Sequence, residues 1–194
     1  MEERIKVGIS ACLLGRKARY DGGHSLDCYF TKTLGRYIEW TPVCPETEAG
    51  LPVPREAMRL IGDVNSPRLK TVGTNIDHTE RILSWTTKRL DELEPENLCG
   101  FVFKSRSPSS GMKKVKVYDD TGHSRPVGTG IFARAFMDRF PLLPVTDEED
   151  LHDPVLRKNF IEQILDYNLT NLNNVYEPWF ARAFLRAALW TLPA

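Results

Sequence analysis

Short apolar runs alternate with helix-period segments over the first 145 residues, and this alternation restricts the fold more than any other feature. Val7-Gly8-Ile9-Ser10-Ala11-Cys12-Leu13-Leu14 is apolar and stops at Gly15, as a buried strand does. Residues 37–44 (YIEWTPVC) are β-branched and aromatic and stop at Pro45. Cys99 to Phe103 (CGFVF) is a third buried run, ended by Lys104, Ser105 and Pro108. Val115-Lys116-Val117-Tyr118 alternates and turns at Asp119 to Gly122, the pattern of an edge strand with one wet face. Between the runs, Leu26 to Tyr37 predicts a short helix. Asp77 to Leu93 predicts a longer one that buries Ile82, Leu83, Trp85, Leu90 and Leu93. Gly128 to Phe140 predicts another, with Ile131, Phe132, Ala135 and Phe136 as its packing stripe. Strands alternating with helices predict an α/β domain whose mostly parallel sheet is flanked by helices.

The pattern changes at residues 146–153 (TDEEDLHD), where five carboxylates predict a solvated linker. Pro154 to Leu165 and Pro178 to Leu192 then read as helices with proline in the first turn. In the second, Arg182 and Arg186 share one side, while Trp179, Phe180, Ala183, Phe184 and Trp190 populate the others. Such a helix docks on the main domain or on a second copy of the chain more readily than on a membrane surface. The expected organisation is therefore a main domain over 1–145 and a short helical appendage over 146–194, the latter able to support a homo-oligomer.

Charge and cysteine usage narrow the class. Twenty-six basic and 26 acidic residues cancel, so nucleic acid would have to be met by a local patch. One such patch is the stretch from Lys104 to Lys116, where Lys104, Arg106, Lys113, Lys114 and Lys116 occur with no acid; it reads equally as solvated surface. Four cysteines without CxxC or zinc-finger spacing do not form a secreted disulfide scaffold. The charged N-terminus has no signal-peptide pattern, and no run reaches the roughly 18 apolar residues of a membrane helix. The expected location is the cytoplasm.

In a parallel α/β sheet, ligands bind outside the carboxyl ends of the strands. Three runs end there in Ser10-Ala11-Cys12, in Val43-Cys44-Pro45-Glu46, and in the loop Lys104-Ser105-Arg106-Ser107-Pro108-Ser109-Ser110-Gly111. Were these strands neighbours, Cys12, Cys44, Glu46 and the serine-rich loop would line one pocket. Singly, each residue has a plainer reading. Cys12, Cys44, Cys28 and Cys99 are small hydrophobes, Glu46 caps a turn, and Ser107 to Gly111 is a turn or an anion-holding nest.

As an ordered set, the motifs resemble the bacterial thiouracil desulfidases, long catalogued as a domain of unknown function. The set is Ile9-Ser10-Ala11-Cys12-Leu13-Leu14-Gly15, Arg19-Tyr20-Asp21-Gly22-Gly23-His24, Pro42-Val43-Cys44-Pro45-Glu46, Val53-Pro54-Arg55-Glu56 and the Lys104–Gly111 loop, followed by Val115-Lys116-Val117-Tyr118. The likeness spans about residues 4 to 145. Phe140-Pro141-Leu142-Leu143-Pro144, Leu151-His152-Asp153-Pro154 and Asn159-Phe160-Ile161-Glu162 resemble the junction to a helical domain in fusions that act on thiouridine in tRNA. Beyond about Tyr167 that likeness ends.

The resemblance implies a 4Fe–4S cluster held by three ligands with one iron open to the substrate's sulfur, and water replacing that sulfur without net redox change. Cys12 and Cys44 would be two ligands, with Ser110 at the third position. Glu46 and Ser107 would be the catalytic acid–base and positioning residues, and Tyr20, Asp21, Arg55 and Lys104 would contact substrate. The substrate would be a thiolated pyrimidine of the 2- or 4-thiouracil type, free or within tRNA, and the product sulfide. The family's loop reads Ser-Pro-Ser-Cys-Gly, and here its cysteine is Ser110. A serine hydroxyl deprotonates far above the ~8.5 of a thiol and is a poor iron ligand, so this departure from the family pattern implies a labile cluster, a smaller one or none. The competing expectation is an inactive relative that binds a nucleotide or RNA.

Overall fold

The computed structural model describes residues 4–171. Strands β1 (Ile5–Ser10), β2 (Ile38–Val43) and β5 (Phe101–Phe103) form where the apolar runs predict them. A four-stranded sheet has the order β2-β1-β5-β8, with β8 spanning Val145–Asp147. Every pairing in it is parallel: Ile5 to Ser10 lie opposite Ile38 to Val43, and Phe101 to Phe103 opposite Val145 to Asp147. The carboxyl ends of β1, β2 and β5 therefore share one edge.

Helical layers cover both faces of this sheet. On one face Ile5, Val7, Ile9, Ile38 and Val102 pack against Phe30 and Leu34, and against Phe160, Ile161, Ile164 and Leu165 of α4 (Pro154–Asn171). On the other, Phe101, Phe103 and Val43 meet Leu90 and Leu93 of α2 (Thr79–Leu93) and Phe132, Ala133 and Phe136 of α3 (Ile131–Arg139). The Phe101 ring lies 4.4 Å from Phe103 and 4.7 Å from Phe136, centroid to centroid. It fits because the strand neighbour opposite it is Gly8. A Cβ at Gly8 would stand 2.1 Å from Phe101 Cδ2. Gly8→Ala should therefore destabilise the protein by about 1–3 kcal/mol, the cost of overpacking a filled core, seen as a lower urea midpoint at unchanged slope.

Several expectations need correction. The stretch 146–153 is not a solvated linker: Thr146 and Asp147 belong to β8, and Thr146, Asp147, Glu148 and Leu151 are buried. The expected division between residues 145 and 146 thus falls inside a strand, and α4 completes the main core. Carboxylate count misleads here because the acids find cationic partners rather than water. Nor is Val115–Tyr118 an edge strand. As β6 it lies inside a second sheet of order β4-β3-β6-β7, with β3 (Met58–Ile61), β4 (Arg68–Thr71) and β7 (Ser124–Gly128). The segment predicted as one short helix from Leu26 is a wide π-helical turn, Tyr29–Thr33, tightening to a 3-10 turn over Leu34–Arg36. In α2, Leu83 is exposed and Thr86 takes the buried face. The helix expected over Pro178 to Leu192, and any association through it, lies outside the described residues. Among the described residues no helix is long and apolar enough to cross a membrane.

Candidate active site

The tips of β1, β2 and β5 open into a cavity of about 430 Å³. Cys12 lies in the 3-10 turn Ala11–Leu14 that follows β1, whose end is set by Gly15 in the left-handed region at φ 86°. Cys44 follows β2 and leads into the single-turn helix α1 (Pro45–Glu48), with proline at its first position. The Glu48 carboxylate reaches back to accept the Cys44 N–H at 2.7 Å, fixing the backbone at that thiol. Glu46 thereby faces inward and is buried.

The third wall is the loop after β5. Helix α3 anchors it: Pro108 O accepts the Ile131 N–H at 3.3 Å, and Ser109 O those of Phe132 and Ala133 at 2.9 and 3.2 Å. Gly130 permits this approach, since a Cβ there would lie 2.5 Å from the Ser109 carbonyl. Cys12, Cys44, Glu46, Ser107 and Ser110 all line the cavity, as do Tyr20, Arg55 and Lys104. Asp21 does not. It is exposed, accepts the Gly23 N–H at 3.0 Å and pairs with Arg19 at 3.3 Å, so it shapes the Arg19–Gly23 turn.

A directional chain of hydrogen bonds runs behind the cavity wall. The Ser110 N–H donates to Ser107 Oγ at 3.1 Å, Ser107 and Ser109 hydroxyls lie 3.1 Å apart, and Ser109 Oγ donates to Glu46 Oε1 at 2.6 Å. With the single Ser109 hydroxyl proton given to Glu46, the Ser107 hydroxyl is the donor between the two serines. The other Glu46 oxygen accepts the Cys44 thiol at 3.5 Å and lies 3.9 Å from Arg55. Ser109 is fully buried and was missed in the sequence because its neighbours in the motif carry the same side chain. Only the hydrogen-bond geometry distinguishes the three serines.

Both cavity thiols are held protonated. Burial raises the Cys12 pKa to about 11, with the neighbouring Cys44 adding to the shift and Lys104 opposing it. Burial and the adjacent Glu46 raise Cys44 as well. A metal would have to displace these protons, so the donor set decides what can bind. Two thiols and the Ser110 hydroxyl face the cavity. Cys28 is exposed and does not line the cavity, and Cys99 is buried before β5, donating to Asn168 Oδ1 at 3.3 Å. Among the described residues, no three side chains of cysteine, histidine, aspartate or glutamate form a metal-binding group. The residues present are one thiolate short of a seat for a cluster held by three cysteines.

Comparison with known proteins agrees with this architecture. A sequence model of the family described as 2-thiouracil desulfurase matches residues 7–148. The chain belongs to the 2-thiouracil desulfurase family. The uncharacterized protein YbbK of Bacillus subtilis (strain 168) is 29% identical over 131 residues, covering 64% of this chain and 85% of YbbK. The solved structure of the [4Fe-4S]-dependent thiouracil desulfidase TudS superposes with a TM-score of 0.61 at 26% identity. That superposition covers 87% of this chain and 100% of TudS. The family match ends at Glu148, so the family unit includes β8 as well as the expected 1–145.

Three of the five cations of the basic loop are paired with acids. The loop itself contains no acid, yet the segment 147–150 brings four carboxylates to it in space. Lys104 pairs with Glu148, Arg106 with Glu149 at 2.9 Å, and Lys113 with Asp150 and with Asp147 at 3.7 Å. Burial alone would raise the Glu148 pKa, but its bonds from Lys104 and Ser105 outweigh that and hold it below the usual carboxylate value. The stabilisation this gives at neutral pH is lost as pH falls through the acidic range.

Proposed function

We propose that the cavity binds a thiolated pyrimidine of the 2- or 4-thiouracil type, and that its residues are arranged for replacement of sulfur by water with release of sulfide. The observation that carries this reading is the meeting of Cys12, Cys44, Glu46, Ser107 and the Ser110 position on one cavity at the carboxyl edge of a parallel sheet. In the net reaction C=S and water become C=O and hydrogen sulfide, so water must lose protons while sulfur gains them. Ser107 stands at the wall, and a proton received there passes through Ser109 to Glu46 by two hydroxyl transfers. Arg55 lines the cavity, where its Nη2 donates to Ala18 O at 3.1 Å and lies 3.9 Å from Glu46, which places a cation at the wall for a ligand oxygen or sulfur. Tyr20, at the mouth and partly exposed, offers a ring face to a base.

Ser110 limits the chemistry. We assign to Cys12 and Cys44 the role of iron–sulfur ligands and to Ser110 the weak third place, so the chain holds a cluster poorly and desulfurates poorly. A free base or nucleoside suits the cavity better than RNA, because three cations of the basic loop are already neutralised by the 147–150 acids. Equilibrium dialysis of the full chain against 2-thiouracil tests the binding. We expect saturable binding, weakened about tenfold or more in Arg55→Gln, as loss of a charged hydrogen bond of ~1.5–3 kcal/mol requires. No saturable binding by the unaltered chain would sink the reading.

A further inference from the structure

The segment that reads as a solvated linker delivers Glu148 to the carboxyl edge of the parallel sheet, one residue beyond β8. There Glu148 Oε2 accepts the Ser105 N–H at 2.7 Å, while Oε1 accepts the Ser105 hydroxyl at 2.7 Å and the Lys104 ammonium. The Lys104 N–H in turn donates to Ser10 Oγ at 2.8 Å, tying the end of β5 to the end of β1. Lys104 is thus held at its backbone by one strand tip and at its ammonium by another, and its side chain lines the cavity beside Ser10 and Cys12. Arg106–Glu149 and Lys113–Asp150 fasten the same loop further along. Arg106–Glu149 is exposed and Lys113–Asp150 half-buried, whereas Glu148 is buried.

We propose that Glu148 is a positioning residue that acts through Lys104, setting the direction of its ammonium in the cavity and the shape of the serine-rich loop. Substrate meets Lys104 and the serines; Glu148 touches neither substrate nor the reacting atoms. The ligand arm of this proposal rests on the cavity taking a thiolated pyrimidine; the loop arm does not.

A double-mutant cycle on the full chain, with Lys104→Gln, Glu148→Gln and both together, tests it. Glu148→Gln is isosteric and keeps an acceptor for the Ser105 N–H, so the loop retains one anchor while the charge pair is lost. The dissociation constant of 2-thiouracil should rise about tenfold in Glu148→Gln, but less than about twofold when Lys104 is already Gln, a coupling expected of directly interacting side chains. Additive losses would overturn the proposal, since a residue that only supports the fold acts regardless of Lys104. Amide hydrogen exchange across 105–111, measured in the same four proteins without ligand, carries the second reading. Exchange should quicken by about tenfold in each single variant and no further in the double, with global melting little changed. Unchanged exchange in Glu148→Gln would overturn the positioning role even if 2-thiouracil bound none of the proteins, a result that separately sinks the cavity reading. Should Glu148→Gln fail to fold, Lys104→Gln alone must loosen residues 105–111, and unchanged exchange there has the same meaning.

Discussion

The unaltered protein is expected to purify with little iron, and Ser110→Cys to retain a brown, oxygen-sensitive cluster after anaerobic reconstitution. The substitution supplies the thiolate that the donor set lacks, at a position that lines the same cavity as Cys12 and Cys44. The loop should accept it. Ser110 is buried, but its backbone is fixed by the Ser107 hydroxyl, by the Gly111 N–H donating to Ser107 O at 2.8 Å, and by the first turn of α3. None of these bonds uses the Ser110 side chain. Iron and acid-labile sulfide per chain should rise several-fold over the unaltered protein, and sulfide release from 2-thiouracil should become readily measurable. A reconstituted Ser110→Cys protein with native circular dichroism and no cluster would remove the desulfidase reading for this chain.

The second large effect is expected at Glu46, in the Ser110→Cys background. Glu46→Gln keeps an oxygen that accepts the Ser109 hydroxyl and a side chain of the same shape beside Arg55. It removes the ability to take up a proton. Iron content should therefore stay near that of Ser110→Cys alone, while turnover falls by about 10²–10⁴, the range for loss of a positioned general base. Loss of iron in parallel with activity would make Glu46 a support of the metal seat instead. Unchanged turnover would remove its part in proton transfer altogether.

Much of the main domain is legible in sequence because burial leaves a local mark. β1 and β5 lie inside the sheet and appear as apolar runs, while β2, at the sheet edge with Glu39 exposed, still shows as a β-branched and aromatic stretch ended by proline. Helices α2 and α3 show their apolar stripes, although Leu83 faces out where periodicity turns it in. The second sheet is far fainter. β3, β4 and β7 are four or five residues long, each carries an arginine, and between them they bury only Leu60, Leu69, Thr71 and Gly128. The serine-rich loop is conspicuous as a motif, but Ser107, Ser109 and Ser110 are alike until the fold gives each a different partner.

By itself the sequence determined the α/β class, the three strand tips that carry Cys12, Cys44–Glu46 and the 104–111 loop, and the absence of a third cysteine from that loop. Those properties are local: a hydrophobic run, a turn residue or a side chain's own chemistry suffices to read them. Only the tertiary structure decided that the three tips meet, that Asp21 stays outside the cavity, and that Ser109 joins Ser107 to Glu46. It also decided that the acids of 147–150 bind the basic loop rather than water. Each of these depends on residues brought together from distant parts of the chain by sheet order. A charge or hydroxyl acquires its role from the partner it meets, and strand pairing β2-β1-β5-β8 selects those partners.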